Sequence, residues 1–149
     1  MSIDSSQLSV DEILRLATPR SRQYFPPTDE QRAVIKAPLE PLLVVAGAGA
    51  GKTTTMSQRV LYMVAHHGIE PERILGLTFT RKAAGELGLK MRQDLGVLAS
   101  NLGRSFQGDP TALTYNSFAA RILGEYGATI GVDPDSRLIG QAQQVQILT

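Results

Sequence analysis

Pro41-Leu-Leu-Val-Val-Ala-Gly-Ala-Gly-Ala-Gly-Lys-Thr-Thr-Thr55 is the stretch from which the rest of the chain is read. Leu42 to Ala46 is a short unbroken apolar run, the pattern expected of a strand buried on both faces of a parallel sheet. Gly47, Gly49 and Gly51 follow, interleaved with Ala48 and Ala50, and Lys52, Thr53 and Thr54 open a predicted helix. Glycine at alternate positions admits positive φ and lets backbone N–H groups converge on a phosphate with no Cβ in the way. This is the pattern of a phosphate-binding loop. Amides and a helix N-terminus suit the α and β phosphates, the Lys52 ammonium the β and γ phosphates, and the Thr53 hydroxyl Mg²⁺. Ala46 takes the first position of G-x-x-x-x-G-K-[ST], a small departure. A glycine-rich turn that merely precedes a lysine would match this relaxed pattern in on the order of one in a hundred chains this long. The strand before it and the helix after it make a chance match rarer still.

Upstream, Phe25-Pro-Pro-Thr-Asp-Glu-Gln-Arg32 forces an extended approach into a helix capped by Thr28 and running from Asp29 to about Lys36. Gln31 stands three residues after that cap. It is either the reciprocal partner of a capping box or a carboxamide placed to read N6 and N7 of adenine, and the residues alone leave both open. Further back, Ser9-Val-Asp-Glu12 fits a capping box for a short helix ending before Pro19. Its Val10-Asp11-Glu12 lacks the buried strand on which a Walker B carboxylate pair sits.

Downstream, apolar residues at helical spacing from Thr53 to about His67 predict a helix stopped by Gly68. Ile74 to Thr80 reads as the next parallel strand, joined to Leu42–Ala46 through that helix in a right-handed crossover. Thr78, Phe79 and Thr80 then fall at a strand's C-terminal end, where open α/β sheets bind ligands. Arg81 and Lys82 begin a helix expected to run to roughly Leu95. Cations there oppose the helix dipole unless an anion approaches, a modest hint of function whose alternative is a solvated charge pair. Residues 96–110 read as a polar connection, Thr111–Tyr115 as a short strand, and Asn116–Tyr126 as a helix burying Phe118, Ile122 and Leu123. Residues 127–135 read as loop, and Gln141–Thr149 as the start of another helix.

The 149 residues make about one domain, with ordinary hydrophobic and charged content and a net charge of +1. That sum gives no global pull towards nucleic acid or membrane. Its composition is more informative, since 11 of the 15 basic residues are arginine, the better phosphate fork and base-stacking partner. The absence of cysteine excludes disulfides, thiolate zinc sites and cysteine nucleophiles. No apolar run is long enough to span a bilayer and no signal-peptide pattern opens the chain, so a cytoplasmic location with no membrane partner is expected.

Four stretches in order resemble the N-terminal part of a UvrD/Rep/PcrA-type superfamily 1A DNA helicase, from about Phe25 onward. Phe25 to Gln31 is similar to that family's adenine-reading Q motif, Ala46 to Thr53 to motif I, Leu77-Thr-Phe-Thr-Arg-Lys-Ala-Ala84 to motif Ia, and Thr114-Tyr-Asn-Ser-Phe118 to motif Ib. Within the family, the Q-motif and motif Ia stretches look closest to the AdnB-like motor of the AdnAB helicase-nucleases. Arg81 stands where Asn is more usual, and Tyr115-Asn116 where Phe-His is more usual.

The resemblance implies an α/β, RecA-like P-loop NTPase fold, a parallel sheet flanked by helices, present as an incomplete domain 1A. It implies residues 1–24 as an N-terminal extension with a short helix, 25–134 as the ATP-binding domain, and 135–149 as the start of an inserted helical subdomain. ATP and Mg²⁺ are the implied cofactors. Lys52 and Thr53 would carry the catalytic roles and Thr53 the metal. Gln31 with Ala46, Gly47, Ala48, Gly49, Ala50, Gly51, Lys52, Thr53 and Thr54 would bind nucleotide. Thr78, Phe79, Thr80, Arg81 and Lys82, with Thr114, Tyr115, Asn116 and Ser117, would line a path for single-stranded DNA. The implied activity is ATP-driven 3′ to 5′ movement in DNA repair or recombination, alongside a partner helicase-nuclease subunit. The family's Walker B carboxylates and arginine fingers lie further along than the stretches matched here, so the piece itself is expected not to turn over ATP. A small-substrate P-loop kinase, or a module that only holds nucleotide, are the rival classes. The first predicts no DNA affinity, and the second retains ATP affinity after Lys52→Ala.

Overall fold

Ser9 caps the first helix as its sequence demands. Its hydroxyl accepts from the Glu12 N–H at 3.3 Å while the Glu12 carboxylate accepts from the Ser9 N–H at 2.8 Å, launching α1 (Val10–Leu16). Thr28 and Gln31 build the same reciprocal cap on α2 (Asp29–Lys36), each cap being worth about 1 kcal/mol. Gly51, at φ 77°, leads into α3 (Lys52–His67), and Gly68, at φ 66°, ends it. A strand β1 (Leu75–Thr78), a long helix α4 (Arg81–Leu102) and a strand β2 (Thr111–Thr114) form a crossover whose two strands pair in parallel.

The computed structural model describes residues 4–133 and divides the chain into two units, Met1–Leu113 and Thr114–Thr149. In the first, α3 packs against α1, α2 and α4, and α4 against β1. Ile13 and Leu14 of α1, Ile35 of α2, Val60, Leu61 and Val64 of α3, and Leu87, Met91, Leu95, Leu98 and Leu102 of α4 form one apolar core. The discounted Val10-Asp11-Glu12 string lies on α1, where Asp11 faces Arg32 and Tyr24.

Five expectations are corrected. Leu42–Ala46 is not a buried strand: it carries no regular structure, and Leu43 and Val45 are 89% and 90% exposed. Among the described residues the sheet has two strands, β1 and β2, and neither pairs with this stretch. A strand holds its shape through ladder partners, so an apolar run without them stays extended and wet. The expected crossover from it to β1 is consequently not formed, and the observed one joins β1 to β2 instead.

The helix expected to stop near Leu95 continues to Leu102, through Gly96. Leu98 and Leu102 extend the buried row begun by Leu87, Met91 and Leu95, and burying each is worth about 1.5–3 kcal/mol against about 1 kcal/mol lost to an internal glycine. In the second unit, α5 (Tyr115–Tyr126) has no buried residue. Ile122 and Leu123 are exposed and Phe118 half-buried, because among the described residues only a single 3₁₀ turn (Gly127–Ile130) follows to cover them. That turn also replaces part of the loop expected over residues 127–135. The helix expected from Gln141 lies outside the described residues.

A polar cluster fastens α1 to α2. The Asp11 carboxylate accepts a hydrogen bond from the Tyr24 hydroxyl at 2.6 Å and pairs with Arg32, while the Arg15 guanidinium lies 5.1 Å above the Tyr24 ring. The Tyr24 hydrogen bond foremost, then Arg32, hold Asp11 below the usual carboxylate range. Burial, reinforced by Asp11, pushes Tyr24 up to about 12. The depressed Asp11 contributes stability above about pH 4 that disappears as pH falls through its folded value. The raised Tyr24 contributes below about pH 10 and is lost as pH rises towards 12. Melting curves of wild type and Asp11→Asn across acid pH should therefore differ at neutrality and converge as pH drops; a constant offset would contradict the linkage.

Candidate nucleotide and DNA sites

The phosphate-binding loop runs into the N-terminus of a 16-residue helix, and its backbone is shaped by two positive-φ glycines, Gly49 at 76° and Gly51 at 77°. Gly51 is doubly constrained. A Cβ there would sit 3.0 Å from Gln31 Nε2, besides straining the left-handed backbone. The Gln31 side chain is what fills that space. Its Nε2 donates to the Ala50 carbonyl at 3.2 Å while its Oε1 accepts from the Thr28 N–H at 3.1 Å.

One side chain therefore caps α2 and ties α2 to the loop. The two readings of Gln31 are compatible, since a carboxamide has a second N–H and a second lone pair left for a ligand. The Lys52 ammonium donates to the carbonyls of Gly47 at 2.6 Å and Ala46 at 3.1 Å, folding back along the loop it follows. Thr53 and Thr54 are exposed in the first turn of α3, and Thr55 Oγ1 donates to the Gly51 carbonyl at 3.1 Å.

A cleft of about 690 Å³, within the range of small-molecule sites, is bordered by Gln31, Ala46, Gly49, Ala50, Gly51 and Lys52 of the nucleotide candidates, while Gly47, Ala48, Thr53 and Thr54 lie outside its lining. Thr28, Glu30 and Gln31 flank it from α2, Val44 to Ala46 and Gly49 to Gly51 from the loop, and Lys52, Thr55 and Met56 from α3. Val34 and Met56 give it apolar walls suited to a flat ring. A glycine-bearing loop, a helix N-terminus and an ammonium fit the phosphates of a Mg²⁺–nucleoside triphosphate, with the phosphates supplying most of the metal's oxygens and the exposed Thr53 hydroxyl next to Lys52. Among the described residues no cluster of three acidic or imidazole side chains offers a metal site of its own.

The other candidates form two clusters, each wrapped around a helix start and each in a different unit of the chain. In the first, Thr78 Oγ1 donates to the Thr80 carbonyl at 3.2 Å, and Thr80 caps α4 by accepting from the Ala83 N–H at 3.1 Å. Phe79 projects 89% exposed. Arg81 and Lys82 are exposed at the helix start, and the Lys82–Glu86 pair, at 3.9 Å in open solvent, neutralises little of that charge. In the second, Thr114 caps α5 by accepting from the Ser117 N–H at 3.1 Å and shares a 2.8 Å hydroxyl contact with Ser117, leaving Tyr115 and Asn116 exposed. Two of the nine DNA candidates, Thr80 and Thr114, thus double as helix caps.

The family model for the UvrD/REP helicase N-terminal domain matches residues 27–149. The chain belongs to the UvrD/Rep helicase family. A probable DNA helicase II homolog from Mycoplasma capricolum is 30% identical over 141 residues, covering 95% of this chain and 17% of that relative. The ATP-dependent DNA helicase PcrA of Bacillus subtilis is 32% identical over 118 residues (79% and 15%), and that of Staphylococcus aureus 30% over 119 residues (80% and 15%). The chain therefore spans about a sixth of the length of these curated relatives. Among the described residues no helix is long and apolar enough to cross a membrane.

Two residues of this UvrD/Rep helicase domain that border the cleft, Val34 and Met56, were not among the candidates. Val34 and Met56 lie three residues after Gln31 and four after Lys52, the spacing that returns a helix to the same face, so periodicity was the available signal. Arg59 carried none. From α3 its guanidinium donates to the carbonyls of Val34 at 2.7 Å, Ala37 at 2.8 Å and Pro38 at 3.0 Å, closing the C-terminal end of α2.

Proposed function

We propose that this chain is the ATP- and DNA-binding N-terminal part of a helicase that moves 3′ to 5′ on single-stranded DNA in repair or recombination. The observation that carries the nucleotide half is the Gln31 carboxamide, held against the phosphate-binding loop by its bond to the Ala50 carbonyl. In this reading the remaining faces of that carboxamide select adenine, and the amides of Gly47 to Gly51 cradle the phosphates. Lys52 leaves the Ala46 and Gly47 carbonyls for the β and γ oxygens, and Thr53 takes Mg²⁺. Thr78 to Lys82 and Thr114 to Ser117 meet the DNA backbone and bases, with Arg81 strengthening phosphate contact. The two stretches Phe25–Gln31 and Leu75–Ala84 support an AdnB-like motor with a helicase-nuclease partner subunit, in the cytoplasm. Residues 1–24, 25–134 and 135–149 are then an extension, the ATP-binding domain and the start of an inserted subdomain.

Phosphoryl transfer also needs a water-orienting group and an arginine finger. The side chains at this cleft supply binding and charge neutralisation, so the chain by itself binds ATP without turning it over. The test is a titration with fluorescent ATP and GTP analogues beside a phosphate-release assay. ATP should be preferred, and Gln31→Ala should weaken ATP by roughly 1–3 kcal/mol more than it weakens GTP. Equal affinity for both bases, or DNA-stimulated phosphate release, would count against this reading.

A further inference from the structure

A second basic surface lies on the first unit, away from the nucleotide cleft. Arg20 and Arg22, on the turn after α1, and Arg92, on α4, border one open groove of about 800 Å³. Arg92 and Gly96 also border a neighbouring groove of about 220 Å³, whose far side carries Arg104 and Phe106. The two grooves thus adjoin, with Arg92 and Gly96 in the wall they share.

The arginines are positioned by their surroundings. Asn101 Nδ2 donates to the Leu16 carbonyl at 2.7 Å, fixing the end of α1 against α4, and the Arg22 N–H closes a turn on the Pro19 carbonyl at 2.9 Å. The Arg104 guanidinium rests 5.0 Å above the Phe106 ring. Among the described residues no carboxylate forms an ion pair with Arg20, Arg22 or Arg92. Asp94, on the same groove, is already held by Lys90 at 2.8 Å. Asp109 borders the smaller groove, and Asp4 lies within electrostatic reach of Arg104. Three guanidinia on one groove that no carboxylate pairs directly leave a local excess of positive charge, which a polyanion laid along the groove would neutralise.

The placement on α4 points to which polyanion. Arg92 follows Arg81 by eleven residues, three helical turns, so both project from the same side of α4 about 16 Å apart. About five nucleotides of a strand span that distance. We propose that Arg20, Arg22 and Arg92 form an accessory contact for the phosphodiester backbone of DNA, extending the path that begins at Arg81 and Lys82. This rests on the DNA-binding reading of Thr78 to Lys82.

The experiment titrates the 149-residue chain against a labelled 20-nucleotide strand and its duplex over a range of salt concentrations. One variant carries Arg20→Gln, Arg22→Gln and Arg92→Gln, a second carries Lys at those three positions, and a third carries Arg81→Gln with Lys82→Gln. Removing three phosphate contacts should flatten the slope of log affinity against log salt by about 2 for the single strand and about 3 for the duplex, with the lysine variant near wild type. Should the glutamine triple fail to fold, Arg92→Gln alone should flatten the single-strand slope by about 0.7.

An unchanged slope in the glutamine variants beside a flattened one in the Arg81/Lys82 variant overturns the accessory contact and leaves the proposed function standing. No DNA binding by wild type overturns both. Arginine-dependent binding of polyglutamate without arginine-dependent binding of DNA assigns the groove to an acidic protein segment and also overturns the proposal.

Discussion

Lys52→Ala should weaken nucleotide triphosphate binding by about 2–5 kcal/mol, some thirtyfold to several thousandfold, while leaving the thermal midpoint nearly unchanged. The asymmetry follows from where the ammonium sits. Its partners, the carbonyls of half-buried Ala46 and exposed Gly47, lie on a surface loop where water replaces it at little cost, so the fold loses little. A bound triphosphate has no such substitute, because its β and γ charge is then left facing the loop's own carbonyls. Isothermal titration with a non-hydrolysable ATP analogue and a parallel melting curve separate the two effects. Retained affinity would mean that the loop serves the structure and not the ligand.

The second large effect concerns stability. Leu98→Ala should cost about 2–5 kcal/mol, a large share of the total for a unit of this size, since Leu98 is 0% exposed and its removal leaves a cavity between α4 and the rest of the core. Leu89→Ala, at a 52% exposed position on the same helix, should cost under about 0.5 kcal/mol. Urea unfolding midpoints of the two variants test the pair. Similar small losses would place Leu98 in a loop, as the polar composition around it suggests, and not at the eighteenth position of a continuous helix.

What could be read from the sequence divides by the range of the interactions involved. Ser9, Thr28 and Gly68 act within three or four residues of themselves, and the helix boundaries they mark stand where expected. Gln31 was legible as a cap for the same reason, but its bond to Ala50 spans 19 residues and only the fold reveals it. Arg59 was illegible for that cause as well, since its acceptors are carbonyls, which every residue type carries. The apolar run Leu42–Ala46 misled because strand propensity is a statement about neighbours, and the described neighbours lie elsewhere. Gly96 misled in the opposite sense. Local preference suggested a stop there, and the packing of Leu98 and Leu102 outweighed it.

Arg59 has a consequence for how the nucleotide cleft can move. Its guanidinium pins the C-terminal end of α2 to α3, and the Gln31 bond to Ala50 pins the N-terminal end to the loop that leads into α3. An eight-residue helix is about 12 Å long, so both of its ends are fastened to the opposite side of the cleft within three turns. Swinging α2 as a gate would break the Arg59 bonds as well as the Gln31 bond, whereas displacing residues 41–50 breaks the Gln31 bond and the two Lys52 bonds and leaves Arg59 in place, so the glycine-bearing side is the less firmly fastened jaw.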